Sequence, residues 1–418
     1  MRIAIIGSGV SGLVCAHLLH PHHDVTLFEA DVRPGGHAHT VTTQVDGVTL
    51  AVDTGFIVYN ERNYPILTRL FAELGVATRA SDMSFAMADD DQDIEWCGTS
   101  LRTVFAQGRN LVRPSFLRML ADVVRFNRSA RRLLEEPENF GYTLEEFLSR
   151  GRYSRQFKDW YLVPMGAAIW SADPADFLRF PAAAFIRFFN NHGLLGVRDR
   201  PQWRTVVGGS AQYVNAITTR LGARLRLDTP VTSIAREDEG VTVRTAQGTE
   251  SFDHVIVATH SDQALALLES PTAAEREVLS AISYRANEAT LHTDVRVMPA
   301  RERARASWNW RHRAGVNAPT LTYDLTRLEG LASPRRLYLT LNQSDAIDPE
   351  KVLASMTYWH PVFDSSALAA QHRHGEISGG HAISYVGAYW GYGFHEDGAR
   401  SAVDVCRGLG AAIAVGVS

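Results

Sequence analysis

A glycine-rich turn near the start of the sequence constrains this chain more than any other feature. Gly7, Gly9 and Gly12 form a G-x-G-x-x-G directly after the β-branched run at residues 2–6, and a helical pattern follows. In a strand–turn–helix unit the first glycine permits a tight turn, the second lets the backbone approach a pyrophosphate, and the third lets helix and strand pack closely. The helix N-terminus offers free N–H groups and a positive dipole to the phosphates, and Ser11 is a further candidate contact there. The pattern predicts an α/β fold with a nucleotide bound after its first strand.

The second strand pattern, at residues 24–28, ends in an acid, Glu29. A carboxylate at this position accepts hydrogen bonds from the hydroxyls of an adenosine ribose. The same negative charge disfavours a 2′-phosphate, so we expect the site to exclude NADP. The acid makes the motif more specific than the glycines alone would be.

A second glycine turn follows almost at once, with candidate contacts at Arg33, Gly35, Gly36 and His37. Folds that bind NAD do not need this turn, whereas the pyrophosphate and ribityl chain of FAD run past such a loop. Here the sequence resembles the FAD-dependent amine oxidase and phytoene desaturase superfamily, which carries an E-x-x-x-x-x-G-G pattern. Glu29, Gly35 and Gly36 match that pattern. His37 stands where the family usually has arginine.

The resemblance continues through the middle and the end of the chain, in the order the family has. It implies contacts with FAD at Gly55, Val231, Gly387, Asp397 and Gly398. The last two residues lie at the start of a C-terminal helix, whose N-terminus in the family points at the flavin pyrimidine and stabilises negative charge there. Ala388 is a departure, because the family usually has an acid after this strand's glycine.

A chain of 418 residues is too long for one compact core and fits two interleaved domains. We predict an α/β (α+β) architecture in which a Rossmann-type FAD-binding domain alternates along the chain with a substrate domain of mixed sheet and helices. The FAD-binding domain is expected at residues 1–75, 205–270 and 380–418. The substrate domain is expected at residues 76–204 and 271–379.

Composition excludes several other classes of protein. The net charge of −4 gives no general attraction to nucleic acid. Three scattered cysteines, without CxxC or Cys/His spacing, support neither a disulfide framework nor a metal site. No apolar run reaches the length of a membrane span, and Met1 leads directly into a strand pattern without a charged leader. We therefore expect a cytoplasmic protein.

Lysine distribution bears on the substrate. Many amine oxidases of the superfamily hold a lysine against the flavin N5 through a water, in a region that corresponds to residues 284–293 here. This chain has lysine only at Lys158 and Lys351. Some relatives lack this lysine too, so its absence weakens an amine oxidase interpretation and leaves it open.

Residues 102–132 form a basic amphipathic stretch, with eight arginines against one acid, Asp122. Apolar residues are interleaved with the arginines, as in segments that rest on anionic lipid surfaces. Peripheral contact with the inner membrane face is one interpretation. An ordinary pair of surface helices in an arginine-rich protein is the other.

Three further segments, at residues 188–195, 358–364 and 391–398, resemble one bacterial subgroup of FAD-binding proteins. Its members are often encoded beside cyclopropane-fatty-acid-synthase-like methyltransferases, and one branch desaturates methylated fatty acyl chains in furan fatty acid synthesis. This resemblance implies a fatty acyl substrate that gives a hydride to the flavin N5. The alternatives are a flavin amine oxidase, a double-bond isomerase and a non-catalytic flavoprotein.

Hydride transfer also needs a group that takes the accompanying proton. His395 is the first candidate, because it shares the turn of Asp397 and Gly398; a structural hydrogen bond is the competing role for its side chain. Tyr392, Glu396 and Tyr59 are the other candidates.

Overall fold

The computed structural model describes residues 1–135, 141–170, 177–196, 200–313 and 319–411. The segment predicted for the FAD-binding domain at residues 380–418 therefore runs past the described residues from 412 onward. In the parts of the chain described here, no helix is both long enough and apolar enough to cross a bilayer.

The described strands follow one another along the whole chain. In chain order they are β1 (Arg2–Ile6), β2 (Asp24–Phe28), β3 (Thr40–Val45), β4 (Val48–Asp53), β5 (Tyr59–Asn60), β6 (Thr78–Ala80), β7 (Phe85–Asp89), β8 (Ile94–Cys97), β9 (Trp203–Val206), β10 (Leu225–Arg226), β11 (Val231–Glu237), β12 (Gly240–Thr245), β13 (Gly248–Phe252), β14 (His254–Val257), β15 (Tyr284–His292), β16 (Trp308–His312), β17 (Thr320–Asp324), β18 (Tyr338–Leu341), β19 (Val352–Pro361) and β20 (Ile383–Tyr385).

Helices lie between these strands. In chain order they are α1 (Val10–Leu19), α2 (Pro65–Leu74), α3 (Leu101–Val104), α4 (Pro114–Glu135), α5 (Leu144–Arg150), α6 (Arg155–Phe157), α7 (Val163–Trp170), α8 (Ala182–Asn191), α9 (Ala211–Leu221), α10 (Ser261–Leu267), α11 (Ala273–Ser280), α12 (Leu325–Glu329), α13 (Ser365–His372), α14 (His374–Ile377) and α15 (His395–Gly408). A π-helical turn at Lys158–Leu162 joins α6 to α7.

Two sheets organise the molecule. A parallel sheet of order β10-β2-β1-β14-β20 is built from strands at both ends and the middle of the chain. Its first strand is buried from Ile3 to Ile6, as expected of a β-branched strand covered on both faces. A larger sheet has the order β19-β15-β18-β17-β16-β7-β8, and all its pairs are antiparallel except that of β16 with β7.

The two sheets draw their strands from different segments of the chain. Each strand of the parallel sheet comes from residues 1–75, 205–270 or 380–418, and each strand of the larger sheet comes from residues 76–204 or 271–379. The small sheet β5-β9-β6 does not follow this division, because it joins strands on both sides of the predicted boundaries. The boundaries themselves remain a prediction.

Local signals in the sequence agree with the ends of several helices. Thr143 caps α5, because its hydroxyl accepts from the Glu146 N–H at 3.2 Å while the Glu146 carboxylate accepts from the Thr143 N–H at 2.8 Å. Helix α2 runs from Pro65 to Leu74 and ends at Gly75, whose φ of 68° is left-handed. The C-terminal helix begins at His395.

Candidate functional site

The carboxyl edge of the parallel sheet is where the predicted nucleotide residues meet. Gly7 follows β1, Glu29 follows β2, Ala258 follows β14 and Gly387 follows β20. Because parallel strands end at the same edge, these residues are neighbours although they are far apart in the sequence. All four line one cavity of about 1240 Å³. Ligand pockets usually measure about 300–1,000 Å³, so this cavity has room for a dinucleotide and a second molecule.

The three glycines of the first turn have the separate roles expected from their spacing. A Cβ on Gly12 would lie 1.9 Å from the Gly7 carbonyl oxygen, so only glycine lets α1 approach β1 this closely. Gly7 has a φ of +99°, a left-handed conformation that favours glycine. A Cβ on Gly9 would meet no protein atom within 4 Å. Gly9 lines the cavity, so its missing side chain leaves open space on the ligand side.

The second glycine turn packs directly on the first. Gly35 donates its N–H to the Ser8 carbonyl at 3.0 Å, and a Cβ on Gly36 would lie 3.2 Å from the Gly9 Cα. Arg33 holds this turn from outside the cavity, because its guanidinium donates to the carbonyls of Pro34, Gly36 and Ala38. Two glycine turns therefore form one continuous backbone wall.

Glu29 ends β2 with its carboxylate on the cavity wall. The Ser8 N–H donates to Oε2 at 2.8 Å, and the Asp31 N–H donates to Oε1 at 2.9 Å. These bonds fix the carboxylate at the edge of the first glycine turn. The Ser8 hydroxyl also donates to Oε2, at 2.5 Å. Oε1 accepts one bond from these partners and keeps further acceptor capacity, which suits a ribose hydroxyl.

Gly55 lies in the turn after β4, and this turn is tied to the one at His37. Phe56 donates its N–H to the His37 carbonyl at 2.8 Å, and a Cβ on Gly55 would lie 2.1 Å from that carbonyl oxygen. Gly55, Phe56 and His37 all line the cavity. Close backbone contact at Gly55 therefore shapes the middle of the site.

The C-terminal turn closes the cavity from the other end of the chain. The Asp397 carboxylate accepts from the N–H groups of Tyr392 and Phe394, both at 3.1 Å, and so holds the turn that precedes α15. A Cβ on Gly398 would lie 2.8 Å from the Ser11 Oγ. Glycine at this position brings the start of α15 against the start of α1.

Five described histidines line the cavity: His192, whose ring stacks on that of Trp203, and a group of four, His37, His260, His360 and His395. The ring centroid of His37 lies 5.3 Å from that of His360 and 6.4 Å from that of His260. Burial lowers the pKa of all four, to about 4 for His360 and to about 3 for His395. For His37 the nearby histidines add to the effect of burial. The group is therefore neutral at physiological pH.

His395 occupies a distinct place in this group. Its ring stacks on that of Phe56, with centroids 3.9 Å apart and planes 13° from parallel. Its Nε2 is buried and has no hydrogen-bond partner among the described residues. A neutral imidazole with a free ring nitrogen can accept a proton from a bound molecule.

A second part of the cavity wall is apolar, and we call the space that it encloses the apolar chamber. Its walls come from the larger sheet and from α4 and α7, and they include Phe85, Trp96, Met119, Leu120, Val123, Met165, Ile169, Trp308, Leu339 and Leu341. Phe188 also lines the chamber, whereas Phe185 and Phe189 are buried in the adjoining helical core. Among the described lining residues, Glu29 is the only one with a carboxylate, and Arg200 is the only one with a side chain of the arginine or lysine type.

The structure brings most of the predicted site residues to this cavity. Those that line it are Gly7, Gly9, Ser11, Glu29, Gly36, His37, Gly55, Val231, Gly387, Tyr392 and His395. Gly12, Gly35 and Gly398 lie just behind the wall, where they permit close backbone packing. Arg33 and Asp397 brace the two turns instead of lining the cavity.

Two of the proposed proton acceptors need correction, because they do not line the cavity. Both carboxylate oxygens of Glu396 accept from the start of α2, with the N–H groups of Ile66 and Leu67 at 2.9 and 3.1 Å. Tyr59 is buried, and its ring packs edge-on against those of Tyr64 and Phe71. Their positions assign structural roles to both residues.

Sequence reasoning missed His260 and His360 as parts of the site. His260 comes directly after the Ala258–Thr259 turn that ends β14, and a polar residue at the carboxyl end of a parallel strand is a usable signal. His360 lies in β19 of the other sheet, and nothing local marks it. Within the described residues, no group of three or more His, Cys, Asp or Glu side chains is arranged to hold a metal ion.

A family model described as flavin containing amine oxidoreductase matches residues 10–337. The chain belongs to this family. Membership confirms the predicted superfamily, the predicted fold class and FAD as the cofactor. The backbone walls at Gly9 and Gly36 and the carboxylate of Glu29 fit the adenosine diphosphate half of FAD, which supports the assignment from this chain's own geometry.

Relatives span several chemistries. One relative is AofH of Mycobacterium tuberculosis, whose name describes it as a flavin-containing monoamine oxidase. It is 29% identical to this chain over 270 residues, which cover 61% of this chain and 56% of that protein. The chain thus spans just over half the length of this relative. Among solved structures, putrescine oxidase bound to putrescine has a TM-score of 0.70 and 17% identity over 98% of this chain and 99% of that one. A fatty acid isomerase from P. acnes that produces CLA has a TM-score of 0.70 and 16% identity over 97% and 98%.

Proposed function

We propose that this chain is an FAD-dependent dehydrogenase of an apolar substrate, of the fatty acyl class. The observation that carries the proposal is the apolar chamber, whose walls line the same cavity as the histidines and the nucleotide turns. An acyl chain gains about 25 cal/mol for each Å² of apolar surface that it buries in such a wall. Desaturation of the chain is the reaction that we infer.

The charges along the cavity favour a neutral or anionic substrate over an amine. Glu29, the carboxylate among the described lining residues, belongs to the nucleotide end, so a protonated amine in the chamber finds no described acid there. Neither lysine of the sequence lines the cavity, and Lys351 is paired with Asp294 and Asp348. Arg200 lines the chamber and suits the carboxylate or phosphate of a lipid.

Desaturation removes a hydride and a proton from adjacent carbons of the acyl chain, and a double bond forms between those carbons. FAD supplies the hydride acceptor when it is bound. The chain's own residues exclude water with the apolar wall and hold the substrate against the histidine end. We assign the proton to Nε2 of His395, which is buried and without a described partner.

Anaerobic mixing of the FAD-loaded protein with membrane lipid extract, and separately with a panel of amines, tests the proposal. We expect the lipid to bleach the flavin and the lipid product to be two hydrogens lighter. Bleaching by amines alone would instead show an amine oxidase. An unchanged lipid mass with a shifted double bond would show an isomerase, and either result overturns the proposal.

His395→Ala is expected to keep its bound flavin and lose lipid-driven reduction, because the proton acceptor is removed. General acid–base groups contribute about 10²–10⁴-fold, which sets the expected loss of rate. His312→Ala is the matched control, since His312 lies outside the cavity lining and is partly exposed. An unchanged rate in His395→Ala removes this residue from the mechanism.

The pH profile of reduction gives a second measure of the same residue. A base acts in its neutral form, and the pKa of His395 is lowered to about 3. Reduction is therefore expected to be independent of pH between about 5 and 8 and to fall only in stronger acid. A transition near the ordinary histidine pKa of about 6.5 would contradict the assignment.

A further inference from the structure

We propose that the outer face of α4, with the segment leading into it, docks on an anionic lipid surface. We call it the basic apolar face and define it by Leu101, Leu111, Val112, Leu117 and Val124 together with Arg102, Arg109, Arg118, Arg125 and Arg128. Exposed large apolar side chains are concentrated there. Leu101 and Val112 are both 79% exposed, Leu111 is 57%, Val124 is 53% and Leu117 is 43%.

Helical spacing places the apolar and basic groups of α4 on one side. Residues 117, 121, 124 and 128 follow the i, i+4, i+7, i+11 pattern, and all are exposed. The opposite side is buried through Phe116, Met119, Phe126 and Leu133. An amphipathic helix usually buries its apolar stripe, so Leu117 and Val124 are a second apolar stripe that the fold leaves open.

The charge of the basic apolar face indicates which kind of surface it binds. Residues 102–132 carry eight arginines and one acid, Asp122. Asp122 is buried and takes ion pairs from Arg118 at 3.6 Å and Arg125 at 2.8 Å. Asp93 pairs with Arg109. The remaining excess of positive charge around exposed leucine and valine matches anionic lipid headgroups above an acyl interior.

The same helix also forms part of the cavity wall. Met119, Leu120, Val123 and Asn127 of α4 line the chamber, and Val104 of α3 joins them. Leu120 and Val123 lie on the flank of α4 between its exposed side and its buried side. Docking through this face sets the chamber beside the lipid that would supply an acyl substrate. This last step rests on the proposed function, whereas binding to the surface does not.

Co-sedimentation of the FAD-loaded full chain with vesicles tests the docking without any turnover. The vesicles are phosphatidylglycerol mixed with phosphatidylcholine, compared with phosphatidylcholine alone, at physiological salt. We expect binding to the anionic vesicles and little to the neutral ones. The co-sedimentation measures binding and not turnover. Absence of vesicle binding therefore does not contradict the proposed reaction, and absence of lipid-driven flavin reduction does not contradict the docking.

Variants assign the binding to this face. Leu117→Asp with Val124→Asp is expected to abolish sedimentation, and the matched pair Val48→Asp with Val295→Asp, valines exposed to a similar degree elsewhere, is expected to retain it. Arg102→Gln with Arg128→Gln is expected to weaken binding by about fivefold per arginine. Flavin absorbance and thermal melts of every variant verify that it is folded.

Three outcomes overturn the inference. They are absence of binding to anionic vesicles at physiological salt, equal binding to neutral vesicles, and equal loss in the control valine pair.

Discussion

Replacing Gly12 and Gly9 separately by alanine distinguishes two roles that a glycine motif combines. A Cβ on Gly12 would lie 1.9 Å from the Gly7 carbonyl oxygen, so helix and strand must separate by about 1.5 Å to restore an ordinary contact. Overpacking of this kind costs about 1–3 kcal/mol. Alanine regains up to about 1 kcal/mol over glycine through helix propensity, so the expected net effect of Gly12→Ala is a destabilised apoprotein.

Gly9→Ala is the matched variant in the same turn. Gly9 has a φ of −63°, which alanine adopts readily, and its Cβ would meet no protein atom within 4 Å. The free energy of unfolding of the apoprotein should therefore lie within about 1 kcal/mol of the wild-type value, since the helix N-cap changes only from glycine to alanine. The new methyl group points into the cavity, and we expect FAD affinity to fall at least tenfold, or about 1.4 kcal/mol.

Thermal melts of the apoproteins and fluorescence titration with FAD measure both effects. The account predicts a lowered melting temperature for Gly12→Ala and a weakened FAD affinity at normal stability for Gly9→Ala. Equal melting temperatures for the two variants, or full FAD affinity in Gly9→Ala, would refute the reasoning about which glycine faces the ligand.

Two further predictions concern buried carboxyl groups. Glu329 accepts the Asp53 N–H and burial raises its pKa well above the ordinary value, while burial raises the pKa of Asp53 to about 6. A carboxyl group whose pKa is raised by folding stabilises the fold fully below its unfolded pKa of about 4. This contribution is lost as the pH rises through the folded pKa. The melting temperature measured from pH 5 to 8 should therefore fall less in Glu329→Gln than in wild type. Burial raises the pKa of Glu396 to about 7. Glu396→Ala should lose about 1–3 kcal/mol of stability, because the buried N–H groups of Ile66 and Leu67 lose their acceptor. The variant should still reduce its flavin at the wild-type rate, and a rate lowered tenfold or more would restore Glu396 to the mechanism.

The parts of the site that the sequence predicted are those governed by local rules. Gly7 must hold a φ of +99°, and Gly12 must leave room for the Gly7 carbonyl. Both requirements select glycine at fixed positions of the turn, so the motif is visible in the sequence. Glu29 follows its strand in the same local way. The parallel sheet and its carboxyl edge were therefore predictable from the first sixty residues and their later counterparts.

The other parts depend on contacts between distant segments. Glu396 was a candidate proton acceptor beside His395, but its carboxylate is engaged by α2, 330 residues earlier in the chain. His37 meets His260 and His360 only because the two sheets adjoin at the cavity. The apolar chamber likewise has walls from α4 and the larger sheet, and no local pattern says which apolar residues face a cavity and which face a core.

Titration of the apoprotein with FAD and, separately, with FMN tests most directly whether both ends of the chain hold one dinucleotide along this cavity. The cavity runs from Glu29 at the first glycine turn to His395 at the last helix, so we predict one FAD per chain and an affinity for FMN at least tenfold weaker. Equal affinities would mean that the glycine turns do not hold the adenosine half. Failure to take up FAD would contradict the account as a whole.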